Sequence, residues 1–285
     1  DWSVTGVQTC ALPICVSVAA LVQQDARVLA AHHQAVAKAL SVLEERYAQT
    51  RISTETGRKR LTTRNVIAAV FPHATNREAE PQLHSHCVVM NATQLPDGRW
   101  FSFANEKAIA NKKLLGQIYQ NELAIALQNH GYIIEPKAHG QFELVGYSPE
   151  LLKLFSTRRQ QIEALVALWE AEGTTVFSAD GQVLRSRLAL YEAAALKSRK
   201  RKPTPMQPEQ LRQGWNALAQ VEGLDLPELP TASSQHAQAK QIVSTESEIV
   251  SGILKPDIEP AIAHCSEREA VFRRTALERF AFEHQ

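Results

Sequence analysis

Three of the ten histidines of this chain, His73, His84 and His86, fall within residues 71–91, FPHATNREAEPQLHSHCVVMN. Neutral imidazoles bind divalent cations, and a site with three protein ligands keeps a position open for water or substrate. The run after Pro81 is rich in strand formers: Leu83, Cys87, Val88 and Val89. Successive side chains on a strand point to opposite faces, so His84 and His86 share one face while Ser85 and Cys87 take the other. Two imidazoles side by side make half of a metal site. His73 follows the apolar run VIAAVF at 66–71 and is the nearest third nitrogen. Antiparallel pairing of the two runs would bring it alongside. The plainer alternative is a pair of half-buried strand histidines bonded to backbone; a lone His-x-His pair recurs by chance.

The surrounding elements follow from periodicity. Residues 25–48 read as a long helix, with Leu29, His33, Val36, Leu40, Leu43 and Tyr47 on one apolar stripe. His33 on that stripe is expected to be a satisfied core histidine. His32 diverges from it by about 100° on a helix, so the two do not share a metal. Residues 50–56 and 60–71 read as strands flanking Gly57-Arg58. Arg51, Arg58, Lys59, Arg60 and Arg64 make this hairpin basic: a phosphate contact, or an edge strand guarded by charge. LPDGR at 95–99 is a turn, followed by a short aromatic strand at 100–103. A second long helix is expected over 105–130, with Ile109, Leu114, Ile118, Leu123 and Leu127 inward, Gly131 as its cap and Lys107, Lys112 and Lys113 near its start. Strands at 132–135 and 141–145 flank Gly140. Ser148-Pro149-Glu150 starts a helix to about residue 171 that carries Arg158 and Arg159. Residues 183–197 are helical and end in the basic run 197–203, KSRKRKP, with Arg199, Lys200 and Arg201. That run is either a nucleic-acid contact or the solvated start of a linker. Residues 209–221 form a short helix with Trp215, and 225–240 are rich in Pro, Ser, Ala and Gln. Short strand pairs alternating with long amphipathic helices indicate an α/β (α+β) fold of two layers.

Composition narrows the classes. The chain has 285 residues, 44% of them hydrophobic, and a formal net charge of +1. A nucleic-acid surface must therefore be local rather than global. No stretch approaches the ~20 apolar residues of a membrane span. The patch at 12–20 lacks the basic leader of a signal peptide. Four cysteines (Cys10, Cys15, Cys87, Cys265) show neither zinc-type spacing nor disulfide density, which suits a reducing, cytoplasmic compartment. No G-x-x-x-x-G-K-[ST] phosphate loop occurs, so no ATP site is expected in this chain.

The longer pattern F-x-H-x-T-x-R-x-x-x-P-Q-L-H-x-H, here Phe71, His73, Thr75, Arg77, Pro81, Gln82, Leu83, His84 and His86, resembles the three-histidine motif of conjugative relaxases of the TrwC/TraI (MobF) type. The resemblance continues through Val88, Val89, Asn91, Thr93 and Gln94, and again through Asn105, Lys112, Leu115, Gly116, Gln117, Tyr119, Glu122, Leu123, Gly131 and Tyr132. More loosely it covers residues 16–222. Ala74 stands where such relaxases often carry an acid, which alters the support of His73. The resemblance implies a two-layer sandwich whose antiparallel sheet carries a three-histidine metal site under long helices. It implies that His73, His84 and His86 hold a divalent ion (Mg, Mn or Zn) that polarises a scissile phosphate of single-stranded plasmid DNA at a transfer origin. A tyrosine near the N-terminus of such proteins attacks that phosphate, leaving a 5′-phosphotyrosyl link and a free 3′-OH. Arg58, Lys59, Arg60, Arg77, Lys112, Lys113, Arg199, Lys200 and Arg201 are the DNA-facing candidates. In relaxases a Lys/Arg-rich segment like 199–202 closes over the DNA, and the conjugation machinery is the implied protein partner.

The resemblance also implies a division of the chain. Residues 1–15 look like a translated sequencing adapter or a disordered start, with family-like sequence from about Val16. A relaxase-like domain spans 16–222, a linker 223–250, and AHCSEREAVF at 263–272 resembles the opening of a helicase-like domain at 251–285 with a helical C-terminal extension. None of Tyr47, Tyr119, Tyr132, Tyr147 and Tyr191 occupies the position of a relaxase nucleophile, so the expectation is a fragment that binds without nicking. Two alternatives stay open: a non-catalytic single-stranded-DNA-binding remnant, and a hydrolytic nuclease using metal-bound water.

Overall fold

The β-branched residues Val4, Thr5, Val7 and Thr9 start the chain in strand β1 (Val4–Ala11), and the apolar run after Pro13 coils into helix α1 (Ile14–Leu21). Asp25 then opens α2 (Ala26–Tyr47): its carboxylate accepts the Arg27 backbone N–H at 2.9 Å, satisfying one of the donors that a helix start leaves unpaired. A basic hairpin, β2 (Gln49–Thr54) and β3 (Gly57–Thr62), precedes the longer pair β4 (Ala68–Thr75) and β5 (Pro81–Met90). The LPDGR turn joins β6 (Thr93–Gln94) to β7 (Trp100–Phe101), with Gly98 at φ 85° where a side chain would strain the turn. Then come α3 (Glu106–Ala110), α4 (Lys112–Asn129), β8 (Ile134–Lys137), β9 (Gln141–Leu144), α5 (Pro149–Leu154), α6 (Thr157–Ala171), α7 (Arg187–Lys197) and α8 (Pro208–Val221). This computed structural model describes residues 4–174, 176, 181, 183, 186–200 and 206–231.

β5 is the central strand of a three-stranded antiparallel sheet of order β1-β5-β4. Its side chains alternate strictly. Leu83, Ser85, Cys87 and Val89 are buried, while Gln82, His84, His86, Val88 and Met90 lie half-buried on the other face. The buried face meets α1, and α2 packs on α4, so one side of the sheet is covered by helices. Leu83 and Cys87 join Val16, Val18, Val28, Leu123 and Leu127 in the main core, and Val89 joins Leu43, Phe103 and Leu114 in an adjoining one. The two-layer α/β expectation holds. The Schellman cap of α4 is also as expected: Gly131 (φ 85°) donates to Gln128 O at 2.8 Å and Tyr132 to Leu127 O at 3.1 Å.

Several expected boundaries move, each for a local reason. The strand expected over 60–71 is broken between Thr62 and Ala68, where Arg64 takes φ 50° and Glu44 caps the Val66 N–H. The helix expected over 105–130 is two helices, parted at Asn111 (φ −108°, ψ 16°), whose side-chain amide bonds back to the Lys107 carbonyl at 2.7 Å. Ile109, expected inward, is 53% exposed. The helix from Ser148 breaks at Phe155-Ser156, where the Ser156 hydroxyl bonds back to Leu152 O. Ser148 does cap α5 as expected, accepting from Leu151 N at 3.2 Å. The core histidine of α2 is His32, not His33: the buried seam runs through Val28, Ala31, His32, Ala35, Ala39 and Val42. Counting only large apolar residues shifted the seam by one position, since it is the alanines that let α4 approach.

The ends also depart from expectation. Residues 4–11, within the stretch that looks like a translated adapter or a disordered start, pair with β5 in sheet register, and Leu12 and Cys15 are buried. Part of the expected linker is fastened to the domain. Leu224, Leu226 and Leu229 pack against the main core, and Arg27 donates to Pro230 O at 2.9 Å. The remaining linker and the helicase-like assignment at 251–285 lie outside the described residues, as does Arg201.

Candidate metal centre and nucleic-acid cleft

The register of β4 against β5 sets His73 directly opposite His84 and Phe71 opposite His86. The three imidazoles therefore meet on the half-buried face of the sheet, opposite the face that carries Leu83, Ser85 and Cys87. Ring centroids are 5.2 Å apart for His73–His84, 5.0 Å for His73–His86 and 5.1 Å for His84–His86. Imidazoles sharing one cation at metal–nitrogen bonds of ~2.0–2.1 Å have ring centres roughly 5 Å apart, so the spacing fits a shared ion. His84 Nδ1 lies 2.9 Å from the Gln82 carbonyl oxygen, which can only accept. Nδ1 thus carries the hydrogen and Nε2 keeps its lone pair, the tautomer a ligating histidine needs. Burial, followed by the neighbouring His86 and His73, holds the His84 pKa below its usual value and favours this neutral form over the opposing Gln82 bond. Among the described residues, no group of three or more His, Cys, Asp or Glu side chains has the geometry of a finished metal site. The three rings expected to hold a metal lie together, but the described residues show no metal site there.

The triad lines a cleft of about 1030 Å³. One wall is apolar, from Ala20, Leu21 and Leu29 to Leu211 and Trp215; the rim carries Arg77, Arg158, Arg199 and Arg212. The rim is tied together through the β4–β5 loop. Asn76 Oδ1 accepts the N–H groups of Glu78 (2.8 Å) and Glu80 (3.1 Å), folding the loop on itself. The buried Glu80 carboxylate accepts from Asn76 Nδ2 at 2.6 Å and from Thr157 N, at the start of α6, at 2.7 Å. A carboxylate there suits the positive end of the helix. Arg77 donates to Lys200 O at 2.7 Å, and Lys200 pairs with Glu78 at 2.7 Å. Arg158 donates to Ser198 O at 2.7 Å and also reaches Ala195 O. Trp215 Nε1 donates to Ala79 O at 2.8 Å.

Not every residue expected to face DNA is here. Of the nine, Arg77 and Arg199 line the cleft. Lys200 is beside it through Glu78. Arg58, Lys59 and Arg60 stand exposed on β3, away from the cleft lining, with Arg51 and Arg60 paired to Glu106. Lys112 and Lys113 are exposed at the start of α4. Arg158, Arg212 and Trp215 belong to the cleft but were not among the expected site residues. Arg158 sits one residue into α6, and nothing in its local sequence marks it off from Arg159. None of the five tyrosines lines the cleft: Tyr47, Tyr119, Tyr132 and Tyr147 are buried and Tyr191 is half-buried. Replacing Glu80 with Gln should cost about 1–3 kcal/mol, since it removes the charge from two hydrogen bonds in a buried hub. Urea midpoints of the two proteins check this.

An antiparallel sheet thus brings three clustered histidines into a cleft whose lining also includes Arg77, Arg158, Arg199 and Arg212. The comparisons make the class specific. A family model described as TrwC relaxase matches residues 4–221, and the chain belongs to that family. It is 31% identical over 277 residues to the multifunctional conjugation protein TraI of Escherichia coli, covering 94% of this chain and 14% of that protein. Thus it spans about a seventh of the length of this curated relative. Among solved structures it resembles the conjugative relaxase TrwC in complex with oriT DNA in a copper-bound form (34% identity, TM-score 0.66, 76% of this chain and 70% of that one). It also resembles TrwC complexed with a 27-mer DNA comprising the recognition hairpin and the cleavage site (34% identity, TM-score 0.67, 77% and 74%). No helix among the described residues is long and apolar enough to cross a membrane.

Proposed function

We propose that this chain is the DNA-engaging part of a conjugative relaxase, with His73, His84 and His86 holding one divalent cation against a phosphate of single-stranded transfer-origin DNA. The observation that carries this reading is the meeting of the three imidazoles at the floor of the arginine-rimmed cleft. When bound, the cation neutralises charge on a phosphate oxygen. The chain's own residues do the rest. Arg77 and Arg199 extend positive charge along the strand path, Arg158 holds the turn after α7 in place, and Trp215 keeps α8 as the opposite wall. Three nitrogen donors suit Zn or Mn better than Mg by softness, and family resemblance supports a cytoplasmic setting and the conjugation machinery as partner. The basic β2–β3 hairpin, with Arg58, Lys59 and Arg60 exposed, offers a second phosphate-contacting surface.

Binding of a single-stranded transfer-origin oligonucleotide, followed by fluorescence anisotropy across a salt series, tests this. Arg77→Ala and Arg199→Ala should each flatten the log–log salt slope by about 0.7, the loss of one phosphate contact on a single strand. Slopes unchanged in both variants would remove DNA from the cleft.

The placement of the tyrosines favours binding without covalent attachment in this chain. Incubated with the same oligonucleotide and Mg, Mn or Zn, the chain should form no denaturant-resistant protein–DNA adduct; an adduct on gel electrophoresis would overturn this. Cleavage without attachment would instead favour the hydrolytic alternative.

A further inference from the structure

The histidine strand has a polar anchor on its hidden face. Ser85 lies between His84 and His86 in β5, points the opposite way, and is fully buried. Its Oγ is 2.7 Å from His32 Nε2, and His32 Nδ1 is 2.8 Å from the Tyr119 hydroxyl. His32 is 0% exposed and Tyr119 1%. A neutral imidazole has one donor and one acceptor nitrogen, and hydroxyls on both sides satisfy both. This chain of bonds joins three elements: α2 through His32, α4 through Tyr119, and β5 through Ser85. Its neighbours on the hidden face, Leu83 and Cys87, are apolar. Burying three polar side chains gains little over well-packed apolar ones, so what the network supplies is specificity of position.

That specificity matters because the outer face of β5 is not cleanly polar: Val88 and Met90 share it with the histidines. A slip of one residue would send His84 and His86 inward and Ser85 outward; the burial of Leu83, Cys87 and Val89 opposes that slip, and the His32–Ser85 bond adds a polar contact that only this facing can make. Only with Ser85 inward can the His32 bond form. We propose that His32 is a positioning residue for the histidine triad, acting through Ser85 to fix the height and facing of β5 so that His84 and His86 meet His73.

The effect on metal binding rests on the cation reading given above; the effect on ring positions does not. Two measurements keep them separate. Ser85→Ala should weaken Co²⁺ affinity by about 10–100-fold, the range for supports of ligating residues. Cys87→Ala, which removes a sulfur from the same hidden face, should leave it within about twofold while lowering the urea midpoint. In the metal-free chain, the ring ¹H–¹⁵N resonances of His84 and His86 should shift in Ser85→Ala and stay in place in Cys87→Ala. If Ser85→Ala does not fold, His32→Gln, which keeps a polar group facing Ser85, is read against the same control. Wild-type chain that takes up no Co²⁺ overturns the cation reading, and the ring resonances then decide the positioning role alone. Unmoved His84 and His86 resonances, or equal shifts with the Cys87 control, overturn His32 as a positioning residue.

Discussion

Acidification from about pH 7 to about pH 4.5 should remove about 2–3 kcal/mol of stability through His32 alone. Burial is the main cause, aided by the nearby His33 and His84, and it pushes the His32 pKa from 6.5 down to about 4 in the folded chain. Between those values the unfolded chain takes up a proton at this position and the folded chain does not. The stabilisation is therefore complete above the unfolded pKa and is lost as pH falls from 6.5 toward 4. A protonated His32 would have two donor nitrogens and no acceptor for its hydroxyl partners. Urea midpoints of wild type and His32→Gln at the two pH values isolate this group from the carboxylates, which titrate in both proteins. The wild type should lose about 2–3 kcal/mol more than the variant on acidification. Equal losses would mean that His32 is reached by water in the folded chain.

Trp215→Ala should cost about 3–5 kcal/mol, the range for deleting a large buried aromatic side chain. Trp215 is 7% exposed, belongs to the main core cluster beside Ala219, and donates to Ala79 O in the β4–β5 loop. It thus fixes α8 as a wall of the cleft as well as filling space. Trp215→Phe keeps most of the packing and loses the N–H, so it should cost about 1 kcal/mol from the hydrogen bond, with a smaller packing loss. Urea melts of both variants check the order. Oligonucleotide affinity should fall further for Ala than for Phe as the wall loosens. A cost below about 1 kcal/mol for Trp215→Ala would show that α8 is not held by this side chain.

The triad was legible because it depends on short-range rules. The period of two fixed the faces of His84 and His86, and pairing of adjacent strands delivered His73. The three-histidine pattern carried the family. What escaped was whatever depended on distant partners. Arg158 and Trp215 reach the cleft only because α6 and α8 are docked on the Asn76–Glu80 turn, by Thr157 N on Glu80 and Trp215 on Ala79 O. No local periodicity announces such docking. His32 and His33 were confused because a helix seam built on alanines does not stand out by hydrophobicity. The strand at Val4–Ala11 escaped because its reason lies in β5, whose second edge it fills. Helix breaks at Asn111 and Ser156 came from side chains turning back to their own backbone, a competition that apolar stripes do not reveal.

The most direct measurement is a divalent-cation titration of the metal-stripped chain by calorimetry, with His84→Ala alongside. About one ion per wild-type chain, with affinity at least about 100-fold weaker in the variant, is the expected result for a three-imidazole site. No uptake by the wild type, or equal uptake by both, would contradict a cation held by His73, His84 and His86.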